Sequence, residues 1–136
     1  MARGRTILIV EDEPALRRFL ELLLRRHGFE VRAAEDGQAA LDCLAEATPD
    51  LVLLDLMLPK IDGFEVCRRL RAQPATAATP VFVVTARATQ EARRRCAVAG
   101  ADAFIAKPYD PRALVEQITR RLEGGAAGSG APREAP

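Results

Sequence analysis

The amino-acid sequence predicts an α/β fold, a parallel sheet with helices on both faces, and three observations carry that expectation. Short continuous apolar runs recur along the chain, as in strands buried on both faces. Between them lie stretches with apolar residues three and four apart, as in helices that pack one side onto a sheet. The two patterns alternate about five times, strand then helix, which requires right-handed crossovers and parallel pairing.

The first run, Thr6-Ile7-Leu8-Ile9-Val10, precedes a helix whose predicted apolar face is Leu16, Phe19, Leu20, Leu23 and His27. Arg17, Arg18, Glu21, Arg25 and Arg26 lie largely opposite, and Gly28 is the stop signal. Phe29 to Ala34 alternates, Val31 and Ala33 against Glu30 and Arg32, as expected of a strand near an edge. Glu35-Asp36-Gly37 then reads as a turn or helix cap. The second helix shows Ala40, Leu41, Leu44 and Ala45. Leu51-Val52-Leu53-Leu54 is the third strand, followed after Asp62 by a helix with Gly63, Val66, Cys67 and Leu70 inward.

Val81-Phe82-Val83-Val84 is the fourth strand. The helix from Thr89 to Val98 is the weakest of the set, because its core face is only Ala92, Cys96 and Ala99 against the run Arg93-Arg94-Arg95. At roughly 25 cal/mol per Å² such a face anchors little, so this element is expected to be among the more mobile. Ala103-Phe104-Ile105-Ala106 is the fifth strand and Leu114, Ile118 and Leu122 line the last helix. An edge position for the second strand fits the order 2-1-3-4-5, the flavodoxin-like arrangement, which makes the first and third strands neighbours. From Glu123 on the periodicity ends, giving a folded domain over 1–123 and a flexible Gly/Ala/Pro-rich tail or linker start over 124–136.

At 136 residues the chain fits one domain with a substantial core. A formal net charge of +1 with dispersed basic residues excludes the electrostatic footprint of a nucleic-acid or membrane-surface binder. Cys43, Cys67 and Cys96 are odd in number, widely spaced and without neighbouring His, which argues against a disulfide framework or zinc site and for buried free thiols. The apolar stretch behind Arg3 and Arg5 is too short for a signal-peptide core or membrane span. A cytoplasmic location is expected.

The functional signal is where the apolar runs stop. The first ends at Glu11-Asp12, the third at Asp55, the fourth at Thr85 and the fifth at Lys107-Pro108. Ligands in open α/β sheets collect at the strands' carboxyl ends, so these endings share one crevice. Adjacent strands lie about 4.8 Å apart, which lets Asp12 and Asp55 reach a common point. Two carboxylates about 4 Å apart repel by about 4 kcal/mol at an effective dielectric near 20, and Glu11 adds a third. A divalent cation with hard oxygen ligands would complete the set, and Mg²⁺ suits carboxylates plus a phosphoryl oxygen. All but two of the 20 basic residues are Arg; Lys107 at a strand end is therefore conspicuous, a compact point charge suited to one phosphoryl oxygen, whereas Lys60 lies in a predicted loop. A carboxylate nucleophile, a metal, the Thr85 hydroxyl and the Lys107 ammonium form a sufficient kit for phosphoryl transfer.

The chain resembles the receiver domains of bacterial two-component response regulators. The residues that carry the resemblance are Glu11-Asp12, Asp55 within Asp55-Leu56-Met57-Leu58-Pro59, Asp62-Gly63, Thr85-Ala86, Gly100-Ala101-Asp102 leading to Phe104, and Lys107-Pro108-Tyr109. It implies that Asp55 is the phosphoacceptor, taking the group from phosphohistidine on a sensor histidine kinase or phosphotransfer protein. Asp12, Asp55 and the Met57 main-chain carbonyl would hold Mg²⁺, with Glu11 acting through water, and Thr85 and Lys107 would bind phosphoryl oxygens. Thr85 and Phe104 would form a switch altering the surface of the fourth helix, fifth strand and fifth helix, and a cis bond is implied before Pro108. The resemblance implies a signalling domain rather than an enzyme on other substrates, acting on an unknown effector domain or downstream protein, with no direct nucleic-acid or membrane binding. Ala103 and Gln117 stand where the winged-helix transcription-factor branch places an acid and an Arg for its dimer network, so that form of dimer is not expected.

Two other readings stay open at this point. An aspartate-nucleophile phosphatase would carry a second Asp two residues beyond the nucleophile, where this chain has Met57. A docking module that keeps the fold without using phosphate would have no need of the complete acid and Lys set.

Overall fold

The computed structural model describes residues 4–124. Among these, strands and helices alternate in the order β1 (Thr6–Val10), α1 (Pro14–Arg26), β2 (Glu30–Ala34), α2 (Gly37–Glu46), β3 (Leu51–Leu54), α3 (Gly63–Ala72), β4 (Val81–Thr85), α4 (Gln90–Ala99), β5 (Ala103–Ala106) and α5 (Pro111–Gly124). The strands form one parallel sheet in the order β2-β1-β3-β4-β5, as predicted. The last helix, α5, runs to Gly124. The remainder of the predicted tail lies outside the described residues.

Side-chain alternation along the strands divides the core in two. Leu8, Val10, Val52, Leu54, Val81, Val83 and Phe104 pack beneath α2, α3 and α4. Ile7, Ile9, Leu51, Leu53, Phe82, Val84 and Ala103 pack beneath α1 and α5. Burial on both faces is why β1, β3 and β4 read as unbroken apolar runs. β2 at the edge does not, and its Ala33, predicted inward, is exposed while Ala34 is buried.

The α1 face also departs from expectation. Leu20 and Leu24 are its buried residues, whereas Phe19 is 43% exposed and His27 is exposed at the C-cap. The Leu-rich stretch from Leu20 to Leu24 is apolar nearly all round, so periodicity alone does not fix the helix's rotation. α2 departs too: of its predicted face Ala40 is buried and Leu44 packs on the core beside Ala39 and Cys43, whereas Ala45 is exposed, since alanines on neighbouring positions mark no single face. α3 buries Gly63, Val66, Cys67 and Leu70, and α5 buries Leu114, Val115, Ile118 and Leu122. α4 buries only Ala92 and Cys96, the thin anchorage read from its sequence.

Caps end the loops as predicted or with comparable chemistry. Asp36 accepts from the Ala39 amide, Asp62 from Glu65 and Thr89 from Ala92, each satisfying an orphan helix N–H. Gly100 closes α4 with φ of 99°, a left-handed conformation that glycine tolerates without Cβ strain. At the end of the sheet away from the strand carboxyl termini, Arg71 binds the Gly100 and Thr79 carbonyls and the Asp102 carboxylate, which also accepts from the Val81 amide. This knot ties α3 to the starts of β4 and β5. All three cysteines are free thiols, and Cys67 and Cys96 are buried. Among the described residues no helix is long and apolar enough to cross a membrane.

Candidate functional site

β1 and β3 are adjacent and in register, Val10 beside Leu54, so the residues after them emerge together. Glu11, Asp12 and Asp55 each offer a carboxylate oxygen, and these oxygens lie within 4.8 Å of one another. Glu11 is 3% and Asp55 7% exposed, while Asp12 faces solvent. Lys107 Nζ reaches the same crevice, donating to Glu11 Oε1 at 2.9 Å and to Asp55 Oδ2 at 3.0 Å. Among the described residues no buried side-chain polar atom lacks a partner.

The loops are built to hold these groups. The Met57 amide donates to Asp55 Oδ1, and the Asp55 amide reaches back to the Val10 carbonyl. Met57 itself projects outward, 54% exposed. Gly63 shows why α3 begins where it does. A Cβ there would stand 2.6 Å from the Asp55 carbonyl oxygen and 2.7 Å from Leu56 Cα, so only glycine lets the helix start against this turn. Asp62, one residue earlier, caps the helix and stands apart from the acidic cluster. Lys60, the other lysine, has φ of 69° and pairs with Asp36 at 3.4 Å, which assigns it to the loop.

Thr85 ends β4 fully buried, its Oγ1 accepting from the Arg87 amide at 3.1 Å. Its carbonyl accepts from the Lys107 amide, joining the two strand ends that carry the hydroxyl and the ammonium. The Lys107–Pro108 bond is cis. Phe104 is buried on the α4 side of the sheet with the Arg93 guanidinium 4.6 Å from its ring centre. Arg95 stacks likewise on Phe64 at 3.8 Å.

Electrostatics follow from burial and charge. Burial pushes the Glu11 carboxyl above its ordinary value, outweighing the opposing Lys107 and Glu13 hydrogen bonds, and the Asp55 charge adds to the rise. Burial pulls the Lys107 ammonium down, but the bonds to Glu11 and Asp55 overcome it and the net shift is upward. The nearby Tyr109 hydroxyl is raised by burial. One ammonium thus faces three carboxylates, and hard oxygen donors in this number suit a divalent cation such as Mg²⁺. Arg17, whose Nη1 donates to the Glu11 carbonyl oxygen at 2.9 Å, escaped the sequence reading because it looked like part of a solvated helix face.

A family model, the response regulator receiver domain, matches residues 7–119. The chain belongs to the response regulator receiver family. It is 41% identical over 116 residues to the transcriptional regulatory protein ResD of Bacillus subtilis, covering 85% of this chain and 47% of that protein. It is 38% identical over 132 residues to the phosphate regulon transcriptional regulatory protein PhoB of Pseudomonas aeruginosa, covering 96% and 58%. The chain spans about half the length of such curated relatives. Among solved structures it resembles a putative response regulator from Chloroflexus aurantiacus, with a TM-score of 0.84, 37% identity, and 89% and 99% of the two chains covered. It also resembles the receiver domain of the sensor histidine kinase PA1611 from Pseudomonas aeruginosa, solved with magnesium in its active-site cleft. That match has a TM-score of 0.82 and 33% identity, and covers 88% and 98%. This receiver is a signalling domain of the two-component type.

Proposed function

We propose that Asp55 accepts the phosphoryl group and that Glu11, Asp12, Thr85 and Lys107 serve it. The observation that carries the reading is the ammonium of Lys107 placed between Glu11 and Asp55 in a cluster whose third acid, Asp12, is open to solvent. Asp12, Asp55 and the Met57 carbonyl would hold Mg²⁺, with Glu11 acting through water. The metal would supply charge neutralisation between the carboxylates and the incoming phosphoryl oxygens.

In the transfer, an Asp55 carboxylate oxygen forms the new bond to phosphorus as the N–P bond of phosphohistidine on a kinase or phosphotransfer protein breaks, the imidazole keeping the electron pair. An ionised carboxylate needs no general base. Lys107 exchanges its contact with Asp55 Oδ2 for a phosphoryl oxygen, and the Thr85 hydroxyl donates to another. Moving Thr85 disturbs the face of the sheet on which Phe104 packs, and so changes the α4–β5–α5 surface. The domain then acts by biasing two conformational populations rather than by turning over a substrate. Its output is an effector domain or partner protein.

Incubation with Mg²⁺ and a small acyl phosphate tests this by intact mass. The wild-type chain should gain one phosphoryl group, and Asp55→Asn or excess EDTA should prevent the gain. Undiminished labelling of Asp55→Asn would sink the assignment.

A further inference from the structure

Of the three clustered acids, Asp12 is the one whose carboxylate nothing holds. Glu11 is fixed by Lys107 and the Glu13 amide, and Asp55 by Lys107 and the Met57 amide. Among the described residues Asp12 makes no side-chain hydrogen bond, so where its oxygens lie depends on the backbone from Glu11 to Glu13. That backbone enters α1 without the usual support. The N-cap is Glu13, which makes no side-chain cap, and the next residue is Pro14, which has no N–H.

Arg17 fills the gap. Its main-chain amide donates to the Glu13 carbonyl at 2.9 Å, and its Nη1 donates to the Glu11 carbonyl at 2.9 Å. One residue thus grips the carbonyls on both sides of Asp12. We propose that Arg17 is the positioning residue for Asp12, bracketing its peptide so that the carboxylate is preset for the divalent cation.

The sign of its effect separates this role from simple charge. A guanidinium near a cation site repels the cation, so an electrostatic role alone predicts tighter Mg²⁺ binding when Arg17 is removed. Positioning predicts weaker binding. The inference rests on the metal-assisted reading of the site, and Mg²⁺ titration of the wild-type chain tests that reading separately.

Isothermal titration with Mg²⁺ alone compares wild type with Arg17→Met, which keeps helix propensity and the stem but loses the donor. Arg17→Lys can still donate to the Glu11 carbonyl, and Arg18→Met controls for a lost positive charge on the same helix. We expect Arg17→Met to weaken Mg²⁺ binding about tenfold, as loss of partners behind metal ligands does. Arg17→Lys should recover most of it, and Arg18→Met should change little. With an acyl phosphate donor, Arg17→Met should need more Mg²⁺ for half-maximal labelling yet reach the wild-type rate at saturation. If Arg17→Met does not fold, Arg17→Gln, too short to span to Glu11, takes its place. Unchanged or tighter Mg²⁺ binding in the donor-less variant overturns the inference while leaving the site reading intact. A wild-type chain that binds no Mg²⁺ overturns both.

Discussion

Replacing Lys107 with Met removes the positive charge that lies among three carboxylates, and its consequence can be worked from the contacts. Lys107 Nζ stands 2.9 Å from Glu11 and 3.0 Å from Asp55, and the side chains of Lys107, Glu11 and Asp55 are 18%, 4% and 8% exposed. At an effective dielectric near 20 each contact is roughly 6 kcal/mol of gross attraction, most of it offset by the cost of desolvating the ions. Removing one partner of a buried pair costs about 3–5 kcal/mol, and the partial exposure of Lys107 places this variant near the lower end, about 3 kcal/mol. For a domain of this size that is a melting temperature lower by about 10 °C at neutral pH without metal. Because burial raises the Glu11 carboxyl above its ordinary value, the unpaired charge is quenched in acid and the loss should shrink as pH falls. Mg²⁺ should restore most of the stability, by ligand linkage to the carboxylates. Thermal denaturation at two pH values, with and without Mg²⁺, reads all of this. An equal loss in all four conditions would refute the electrostatic account and leave only lost packing of the lysine stem.

The remaining predictions concern pH, backbone fit and motion. A folded-state acid raised above its unfolded value favours folding below that unfolded value, near 4.5 for Glu11, and the contribution is lost as pH rises through the folded value. Mg²⁺ must displace that proton, so its affinity should fall as pH drops through the raised value, and titration calorimetry at several pH values should show proton release only in that window. Gly63→Ala drives a Cβ into the Asp55 and Leu56 backbone; it should cost about 1–3 kcal/mol in urea unfolding despite alanine's helix preference, and a neutral result would show that the turn can relax. Amides of α4, with only Ala92 and Cys96 buried, should exchange with deuterium faster than those of α5, with Arg71 slowing its Gly100 end; equal protection would contradict the thin-anchorage argument.

Much of this was legible in the sequence because buried parallel strands cannot disguise themselves. The runs ending at Glu11, Asp55, Thr85 and Lys107 give both the sheet and the crevice, and a chain that otherwise uses Arg draws attention to the lysine at β5's end. The strand order followed from the single alternating strand, and α3's four inward residues matched because Glu65, Arg68 and Arg69 mark the opposite side. What failed had physical causes. α1 carries too many leucines for periodicity to choose between Leu24 and Phe19 as core, and at the sheet edge the alternation of β2 has no second face to enforce it. The contacts of Arg71 with Gly100 and Asp102 span about thirty residues, and arginine on a helix gives no sign of whether it seeks solvent or a distant carbonyl. Arg17 was overlooked for the same reason.

The chemical identity of the linkage tests the central claim most directly. After labelling with Mg²⁺ and an acyl phosphate, borohydride reduction of the phosphorylated chain and peptide mass mapping should find homoserine at position 55, and the label should be released by hydroxylamine as an acyl phosphate is. Reduction at another carboxylate, or a hydroxylamine-stable phosphate on a serine or threonine, would contradict the account.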